Sequence, residues 1–426
     1  MYTGLGTRPE ESAGKRSKRG ALNGTVIALG FTSFFTDISS EMVAAVVPLF
    51  LTTQLGFTPS AFGLFQGIYE LANALLRMVG GMVADRTRRP KETAAAGYGF
   101  STLTRLGLVG SVTVGIPAVP FLIADRLGKG LRTSPRDAMI SMSTPQESWG
   151  TAFGVHRSLD AAGALLGPLM AFGILTFLPG SFDAIFLLSF GFGMLGFAVI
   201  VTWVRNPKAL SVSHTERSKP KIREVVTDLW RNRGYRRVVA LGGAFGLFSI
   251  GDGFAYLVLF EASKQTSELG VSGFGFRWFP LLFAGTAIVF LATAAPLGRV
   301  ADRFGRGRVW VAGHAVLAVV YAVLLFMPTS VAGVMVVLAL LGIFYGATDG
   351  VLPALASGVI PKEQRSSGLA LLSTVVALTR MSAAVAFGLI WEAVGVDRAL
   401  MFAVVGLVLV TAGVTFSAVF RDPAAE

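Results

Sequence analysis

The chain has 426 residues, of which 53% are hydrophobic and only 15% are charged, and its mean hydropathy is +0.64. A soluble protein carries about 25% charged residues, so this composition predicts a protein embedded in lipid. The absence of cysteine excludes disulfide bonds, thiolate metal sites and thiol nucleophiles.

Apolar runs between polar breaks predict an all-α integral membrane fold of twelve spanning helices. Each span needs about 20 mostly apolar residues, because an α-helix rises 1.5 Å per residue through roughly 30 Å of hydrocarbon. The first run, from Thr25 to Leu51, is too long for a signal peptide and is interpreted as an uncleaved helix. The predicted helices span residues 24–52, 60–82, 93–112, 118–142, 149–177, 183–204, 238–263, 277–298, 309–326, 331–359, 366–391 and 399–420.

The charges of the loops predict the orientation of the chain. The longest polar stretch, 205–237, divides two six-helix bundles at 24–204 and 238–420, with tails at 1–23 and 421–426. With a cytoplasmic N-terminus, the tails and cytoplasmic loops hold 26 Lys and Arg residues, and the opposite loops with their edges hold 3. This positive-inside pattern predicts a plasma-membrane protein with both termini cytoplasmic. It also explains the net charge of +12 without a nucleic-acid partner.

The two bundles carry an internal repeat. Gly81 and Asp85 recur as Gly298 and Asp302, offset by 217 residues, each time between the second and third helices of a bundle. Three further pairs keep an offset of 215 or 216: Asp37 with Asp252, Gly130 with Gly346, and Pro145 with Pro361. Several matches in order at one spacing indicate a duplication, which is common in transporters.

The repeated loop predicts a gate. An Asp at a helix N-terminus can accept backbone N–H groups, and Arg can bridge carboxylates and lipid phosphates. Such a cluster either latches the cytoplasmic side during transport or only anchors the loop by the positive-inside rule. The predicted gating residues are Gly81, Asp85, Arg86 and Arg89 in the first copy, and Gly298, Asp302, Arg303 and Arg306 in the second.

This glycine, Asp-Arg and basic pattern resembles the loop motif of the major facilitator superfamily. The stretch Arg126-Leu-Gly-Lys129-Gly130 is similar to the arginine motif of that family's fourth helix. The resemblance covers nearly the whole chain. It implies a V-shaped pair of bundles, monomeric and without a cofactor, whose central site opens alternately to each side of the membrane.

A further stretch resembles the fifth-helix motif of the family's proton-driven exporters. It contains Gly163, Gly167 and Pro168, but Met170 and Ala171 stand where exporters usually carry further glycines. The resemblance implies export, and the departure leaves the direction of transport open.

Carboxyl groups in the first two helices predict a proton site. A charge at the bilayer centre costs roughly 2.5–3.5 kcal/mol on insertion scales, so an idle and unpaired example is not expected. Asp37 and Glu41 are four residues apart on one helix face near mid-membrane, and Glu70 reaches a similar depth. A carboxyl group that is alternately buried and salt-bridged can bind and release a proton.

The fourth predicted helix has a basic face. Arg126, Lys129 and Arg132 fall with neighbouring charges in a sector of roughly 140°, which must face the bundle and not lipid. This face could attract an anionic substrate, or it could neutralise Asp37, Glu41 and Glu70. Both interpretations remain open at the level of the sequence.

The second bundle supplies candidates for the opposite wall of the cavity. Asp252 occupies the repeat position of Asp37, and aromatic rings accompany the polar residues, either to stack on a substrate or simply to pack. The candidates are Asp252, Tyr256, Tyr345, Asp349 and Arg380.

These observations predict a secondary transporter and not an enzyme. Gly128-Lys129-Gly130 lacks the spacing of a phosphate-binding loop, and the three histidines are scattered, so no metal site is expected. The favoured function is proton-coupled export of a small organic or amphipathic compound, with protons and membrane lipid as the other partners. The alternative is uptake or exchange of an anionic metabolite on the basic face of the fourth helix.

Overall fold

The fold consists of helices alone in the part of the chain that the structure describes. It is a computed structural model, and it describes residues 24–87, 89–145, 148–206, 222–268, 275–327, 330–361 and 364–416. Within these ranges a few residues, including Gly81, Asp85 and Arg86, are described by their backbone only. Both predicted tails lie outside the described residues, and so does the predicted end of the last helix, 417–420.

The N-terminal bundle contains six spans, and proline marks where several helices begin. Pro48, Pro90 and Pro120 occupy the first turns of three helices, where the missing N–H has no intrahelical partner to lose. The first span consists of two helices with a break at Ala45 and Val46. The helices are α1 (Gly24–Ala44), α2 (Val47–Thr53), α3 (Pro59–Thr87), α4 (Pro90–Thr113), α5 (Val119–Met142), α6 (Trp149–Phe177) and α7 (Phe182–Trp203).

The C-terminal bundle also contains six spans, two of which are interrupted. The seventh span is broken between α9 and α10, and the tenth is broken at Asp349 and Gly350. A short 3₁₀ turn, Phe276–Trp278, precedes the eighth span. The helices are α8 (Ile222–Arg231), α9 (Arg233–Gly246), α10 (Asp252–Glu268), α11 (Phe279–Phe304), α12 (Arg306–Phe326), α13 (Val331–Thr348), α14 (Val351–Val359), α15 (Arg365–Val394) and α16 (Val396–Phe416).

Eight spans among the described residues are long and apolar enough to cross a membrane by composition alone. The other four are α3, α4, α5 and the broken α9–α10 span. The α9–α10 span is divided into helices of 14 and 17 residues, each too short by itself. Polar composition sets α3, α4 and α5 apart: α5, for example, carries six charged residues within 24. Such helices belong inside a bundle, where their polar faces are shielded from lipid by the apolar spans.

The linker between the bundles is shorter than the sequence indicates. The sequence predicts a polar linker to residue 237, but α8 lies within it and α9 begins at Arg233. The Asn232 side chain caps α9 by accepting the Tyr235 N–H at 3.1 Å. Leu229 and Tyr235 are buried against the C-terminal bundle, so the chain is already packed before the apolar run starts.

The recorded contacts between the two bundles lie at one end of the molecule. The start of α3 packs on the end of α15, where a Cβ atom on Gly67 would lie 3.1 Å from the Met381 Cβ. The Ser60 N–H donates to Glu392 Oε2 at 3.2 Å. The rings of Phe172 in α6 and Trp278 before α11 lie 5.2 Å apart. This end is opposite to the repeated-motif loops.

Candidate functional site

Carboxylates of α1 neutralise the basic face of α5. Lys129 Nζ lies 2.9 Å from Glu41 Oε1, and both side chains are about one quarter exposed. Arg132 Nη2 lies 3.8 Å from Asp37 Oδ1, with both side chains buried. Two of the three basic residues predicted for the cavity on α5 are therefore already paired inside the N-terminal bundle.

Arg126 differs from its neighbours on α5. Its guanidinium lies over the ring of Tyr69 from α3, 4.2 Å from the ring centroid. Its Nε atom is buried and has no acceptor among the described residues. This residue therefore retains hydrogen-bonding capacity that a ligand or another state of the protein can use.

A second set of charges lies further along α5. Arg136 Nη2 is 3.0 Å from Asp137 Oδ1, and Arg136 Nη1 is 3.4 Å from Asp160 Oδ1 on α6. The same Nη1 donates to Ser33 Oγ at 3.2 Å, and Ser33 Oγ lies 3.0 Å from His156 Nε2. This cluster joins α1, α5 and α6.

A buried ion pair between α4 and α5 was missing from the predicted site. Arg105 Nη1 lies 2.7 Å from Asp125 Oδ1, and the side chains are only 1% and 4% exposed. Ser101 donates to the same carboxylate, while Arg105 donates to Ser40 at 3.1 Å and Ser189 at 3.0 Å. A lone Arg in a mostly neutral helix is a signal of such a pair, but the sequence does not identify its partner.

The opposite wall contains an acidic cluster around one arginine. Glu70 on α3 faces the break before α10, because a Cβ atom on Gly251 would lie 3.4 Å from Glu70 Oε1. Arg380 on α15 interacts electrostatically with Glu70 and Asp349, and Asp252 interacts with both Glu70 and Arg380. Asp349 is exposed. Three carboxyl groups thus lie within electrostatic range of one guanidinium.

The two candidate tyrosines occupy different surroundings. Tyr256 is fully buried and its hydroxyl donates to Thr286 Oγ1 at 2.7 Å. Tyr345 is only partly buried and lies in the electrostatic field of Arg380. Tyr256 therefore ties α10 to α11, and Tyr345 is the one placed beside the acidic cluster.

The fifth-helix glycines allow α6 to approach α1 closely. A Cβ atom on Gly167 would lie 2.7 Å from the Met42 nitrogen and 2.8 Å from the Ile38 carbonyl oxygen. A Cβ atom on Gly163 would collide with the Phe34 carbonyl group. Pro168 follows inside the helix and removes one backbone hydrogen bond.

The second copy of the gating motif connects two spans. Arg306 donates two hydrogen bonds to Asp302 Oδ1, from Nη2 at 2.8 Å and from Nε at 3.0 Å. Its Nη1 donates a third to the carbonyl oxygen of Ala354 on α14, at 3.1 Å. Arg303 is exposed, and nothing lies within 4 Å of a Cβ position on Gly298. In the first copy, Arg89 precedes α4; the side chains of Asp85 and Arg86, and the surroundings of Gly81, lie outside the described residues.

The chain forms two six-helix bundles that carry paired charges inside their spans and touch at one end. This architecture is that of a membrane transporter. A sequence profile of the Major Facilitator Superfamily matches residues 29–274 and 252–426. The chain belongs to the major facilitator superfamily, a family of transporters and not of enzymes, and it is a multi-pass membrane protein. The predicted family and fold are confirmed.

Relatives of known sequence support this assignment. An uncharacterized MFS-type transporter of Methanocaldococcus jannaschii is 29% identical over 371 residues, which cover 87% of this chain and 89% of that protein. The multidrug resistance protein MdtG of Escherichia coli is 27% identical over 328 residues, 75% of each chain.

Solved structures agree on the fold. A mutant of the nucleoside transporter NupG superposes with a TM-score of 0.76 at 14% identity, covering 93% of this chain and all of that one. A bacterial homologue of the human lysosomal transporter Spinster, in an inward-facing and unoccupied conformation, gives a TM-score of 0.68 at 14% identity, covering 91% and 95%.

Proposed function

We propose that this transporter is a proton-coupled exporter of small organic compounds that are amphipathic and neutral or cationic. One observation carries the choice of substrate. Lys129 and Arg132 are paired with Glu41 and Asp37, whereas Glu70, Asp252 and Asp349 have the guanidinium of Arg380 as the basic group within electrostatic range. The part of the cavity wall formed by Glu70, Asp252 and Asp349 therefore carries an excess of acidic groups, and it attracts cations more strongly than anions.

The direction of transport in this proposal rests on two supports. MdtG, a multidrug resistance protein, is a relative at 27% identity. The fifth-helix glycines Gly163 and Gly167, which resemble those of proton-driven exporters, contact the backbone of α1. Both favour export over uptake.

The orientation in this proposal has both termini and the basic loops in the cytoplasm of a cell bounded by the plasma membrane. The count of 26 against 3 basic residues supports it. The contacts between the bundles then lie on the extracellular side. One proton moving through about 100 mV supplies roughly 2.3 kcal/mol, which sustains about a fiftyfold substrate gradient.

The alternative, transport of an anionic metabolite on the basic face of α5, has one supporting observation. Arg126 keeps a buried Nε atom without an acceptor among the described residues. The remaining basic residues of that face have carboxylate partners, so the cationic proposal is preferred.

Inverted membrane vesicles test the proposal. A panel of fluorescent lipophilic cations and matched organic anions is added with and without a proton gradient, and internal accumulation is measured. We expect accumulation of cations that a protonophore abolishes. Asp349→Asn should reduce cation accumulation, and Asp397→Asn, which alters an exposed acid at the start of α16, serves as the charge-matched control. Accumulation of anions alone would contradict the proposal and favour the alternative.

A further inference from the structure

The first turns of α9 have two sides of opposite character. Tyr235 and Val239 are buried in the C-terminal bundle, at 0% and 5% exposure. Arg233, Arg236 and Arg237 are exposed. Because residues three and four apart lie on the same side of a helix, the three arginines form one basic surface.

The end of α8 extends this surface. Leu229 is 1% exposed and packs into the C-terminal bundle, whereas Trp230 is 50% exposed and Arg231 is exposed. The preceding helix is therefore fixed by its leucine and presents its last two side chains outward. The whole surface, termed the arginine face, consists of Trp230, Arg231, Arg233, Arg236 and Arg237.

The arginines of this face have no carboxylate partner among the described residues. The acidic residue closest in the chain is Asp228, three positions before Arg231, and no ion pair joins the two. The basic residues Lys129 on α5 and Arg306 on α12, by contrast, do have acidic partners. The arginine face therefore has an excess of positive charge that another molecule can neutralise.

The same side of α9 becomes apolar further along the helix. Ala240 and Leu247 are both exposed, and they follow Arg236 by four and eleven residues, close to one and three helical turns. A water-filled cavity within a membrane protein is lined by polar groups, whereas exposed apolar side chains on a span face acyl chains. This side of α9 therefore faces lipid, and its arginines lie where the acyl chains meet the headgroups.

The dimensions of the arginine face match those of a headgroup layer. From Arg233 to Arg237 the helix rises about 6 Å, at 1.5 Å per residue. Each headgroup layer of a bilayer is roughly 5–8 Å thick. A guanidinium group donates two parallel hydrogen bonds to a phosphate, and an indole such as that of Trp230 favours the boundary between acyl chains and water.

We propose that the arginine face binds the headgroup phosphate of an anionic phospholipid in the leaflet that borders α8. An anionic lipid is favoured over a zwitterionic one, because a choline group would bring a second positive charge to a surface that is already basic. The inference goes beyond the proposed function, since it does not depend on the substrate, the direction of transport or the coupling ion.

Hydrogen bonds beside the arginines connect the arginine face to two other spans. The Asn232 side chain donates to the Val359 carbonyl oxygen at 2.8 Å, and the Tyr235 hydroxyl donates to the Gly368 carbonyl oxygen at 2.8 Å. Val359 is the last residue of α14, and Gly368 lies in the first turn of α15. A lipid bound at the start of α9 therefore stabilises this end of the C-terminal bundle, because a ligand of the folded state raises its stability.

The test measures lipid binding to the purified full-length protein in nonionic detergent. Phosphatidylglycerol or phosphatidylcholine is added, bound lipid is quantified by native mass spectrometry, and the thermal midpoint is recorded. We expect phosphatidylglycerol to bind more tightly and to raise the midpoint further. Arg236→Gln with Arg237→Gln should weaken phosphatidylglycerol binding about thirtyfold, as expected for two basic side chains near an anionic surface.

Arg299→Gln with Arg308→Gln is the charge-matched control. Both side chains are exposed at the ends of α11 and α12 that are joined by the second repeated-motif loop, outside the arginine face. This variant should bind phosphatidylglycerol as the parent protein does. The midpoints of both double variants without added lipid verify that they are folded.

Tryptophan fluorescence gives a readout that does not depend on the arginine substitutions. Phosphatidylglycerol with brominated acyl chains should quench the parent protein, and Trp230→Phe should remove part of this quenching, because Trp230 lies at the edge of the arginine face. Unchanged quenching in Trp230→Phe would contradict a lipid at this place.

Three further results would overturn the inference. Equal weakening in the two double variants would show that overall charge, and not the arginine face, determines binding. Equal binding of phosphatidylcholine would remove the role of the anionic headgroup. An equal rise of the midpoint with glycerol 3-phosphate would show that the occupant is a free phosphate and not a lipid. None of these results affects the proposed function, which vesicle transport tests separately.

Discussion

Single residues inside the N-terminal bundle are arranged as closely matched charges. Arg105 and Asp125 are the most buried pair, with distances typical of a charge-assisted hydrogen bond. A buried ion pair adds little net stability over a well-packed apolar pair, but removal of one partner leaves an uncompensated charge in the interior. The pair therefore matters mainly through the cost of breaking it.

Asp125→Asn is expected to lower the free energy of unfolding by about 3–5 kcal/mol, because the Arg105 guanidinium would be left buried without its counter-charge. The thermal midpoint of the purified protein in detergent measures this. The double variant Arg105→Met with Asp125→Leu removes both charges and should recover most of the loss. Equal losses in the single and double variants would show that packing, and not charge, stabilises this interface.

At the scale of elements, α6 is the helix that connects the charge clusters to the contact between the bundles. One part of it approaches α1 through Gly163 and Gly167, and Phe172 near its end contacts Trp278 before α11. Both Gly163 and Gly167 must lack a side chain, because a Cβ atom at either position would clash with backbone atoms of α1, which cannot move independently.

Gly167→Ala should impair both stability and transport, because its Cβ atom would lie 2.7 Å from the Met42 nitrogen. Overpacking of this kind typically costs about 1–3 kcal/mol. Gly173→Ala is the matched control in the same helix, since nothing lies within 4 Å of its Cβ position. Thermal midpoints and vesicle transport are measured for both variants. Comparable behaviour of the two would contradict a close α1–α6 contact.

At the scale of the whole molecule, the bundles meet through α3 with α15 and through α6 with the segment before α11. For a transporter that works by alternating access, this end must separate once in each cycle. The contacts seen here are therefore expected to break and re-form during transport.

A cross-link across this end should stop transport. Phe172→Cys with Trp278→Cys introduces two thiols into a cysteine-free chain where the original rings lie 5.2 Å apart. We expect a bifunctional thiol reagent to reduce vesicle transport to background and a reductant to restore it. Phe248→Cys with Phe402→Cys, whose rings lie 5.9 Å apart within the C-terminal bundle, is the control and should remain active when cross-linked. Undiminished transport in the first pair would contradict separation at this end.

The predictability of the candidate site differs from residue to residue. Neutralisation of the α5 basic face by Asp37, Glu41 and Glu70 was one of two interpretations open from the sequence. The distances favour it for Asp37 and Glu41, whereas Glu70 faces the break before α10. The contact between Asp160 on α6 and Arg136 on α5 could not be predicted, because the sequence does not show which residues of neighbouring helices an acidic side chain faces.

The sequence by itself determined the membrane class, the twelve spans, the duplication and the family, because apolar run length, loop charge and repeated motifs are properties of short segments. Only the tertiary structure decided which carboxyl group meets which base. That choice depends on how each helix is rotated and how closely two backbones approach, and at the α1–α6 contact the approach is set by Gly163 and Gly167. A one-residue turn of a helix moves a side chain by about 100° around its axis, which is enough to exchange Asp160 for an apolar neighbour beside Arg136.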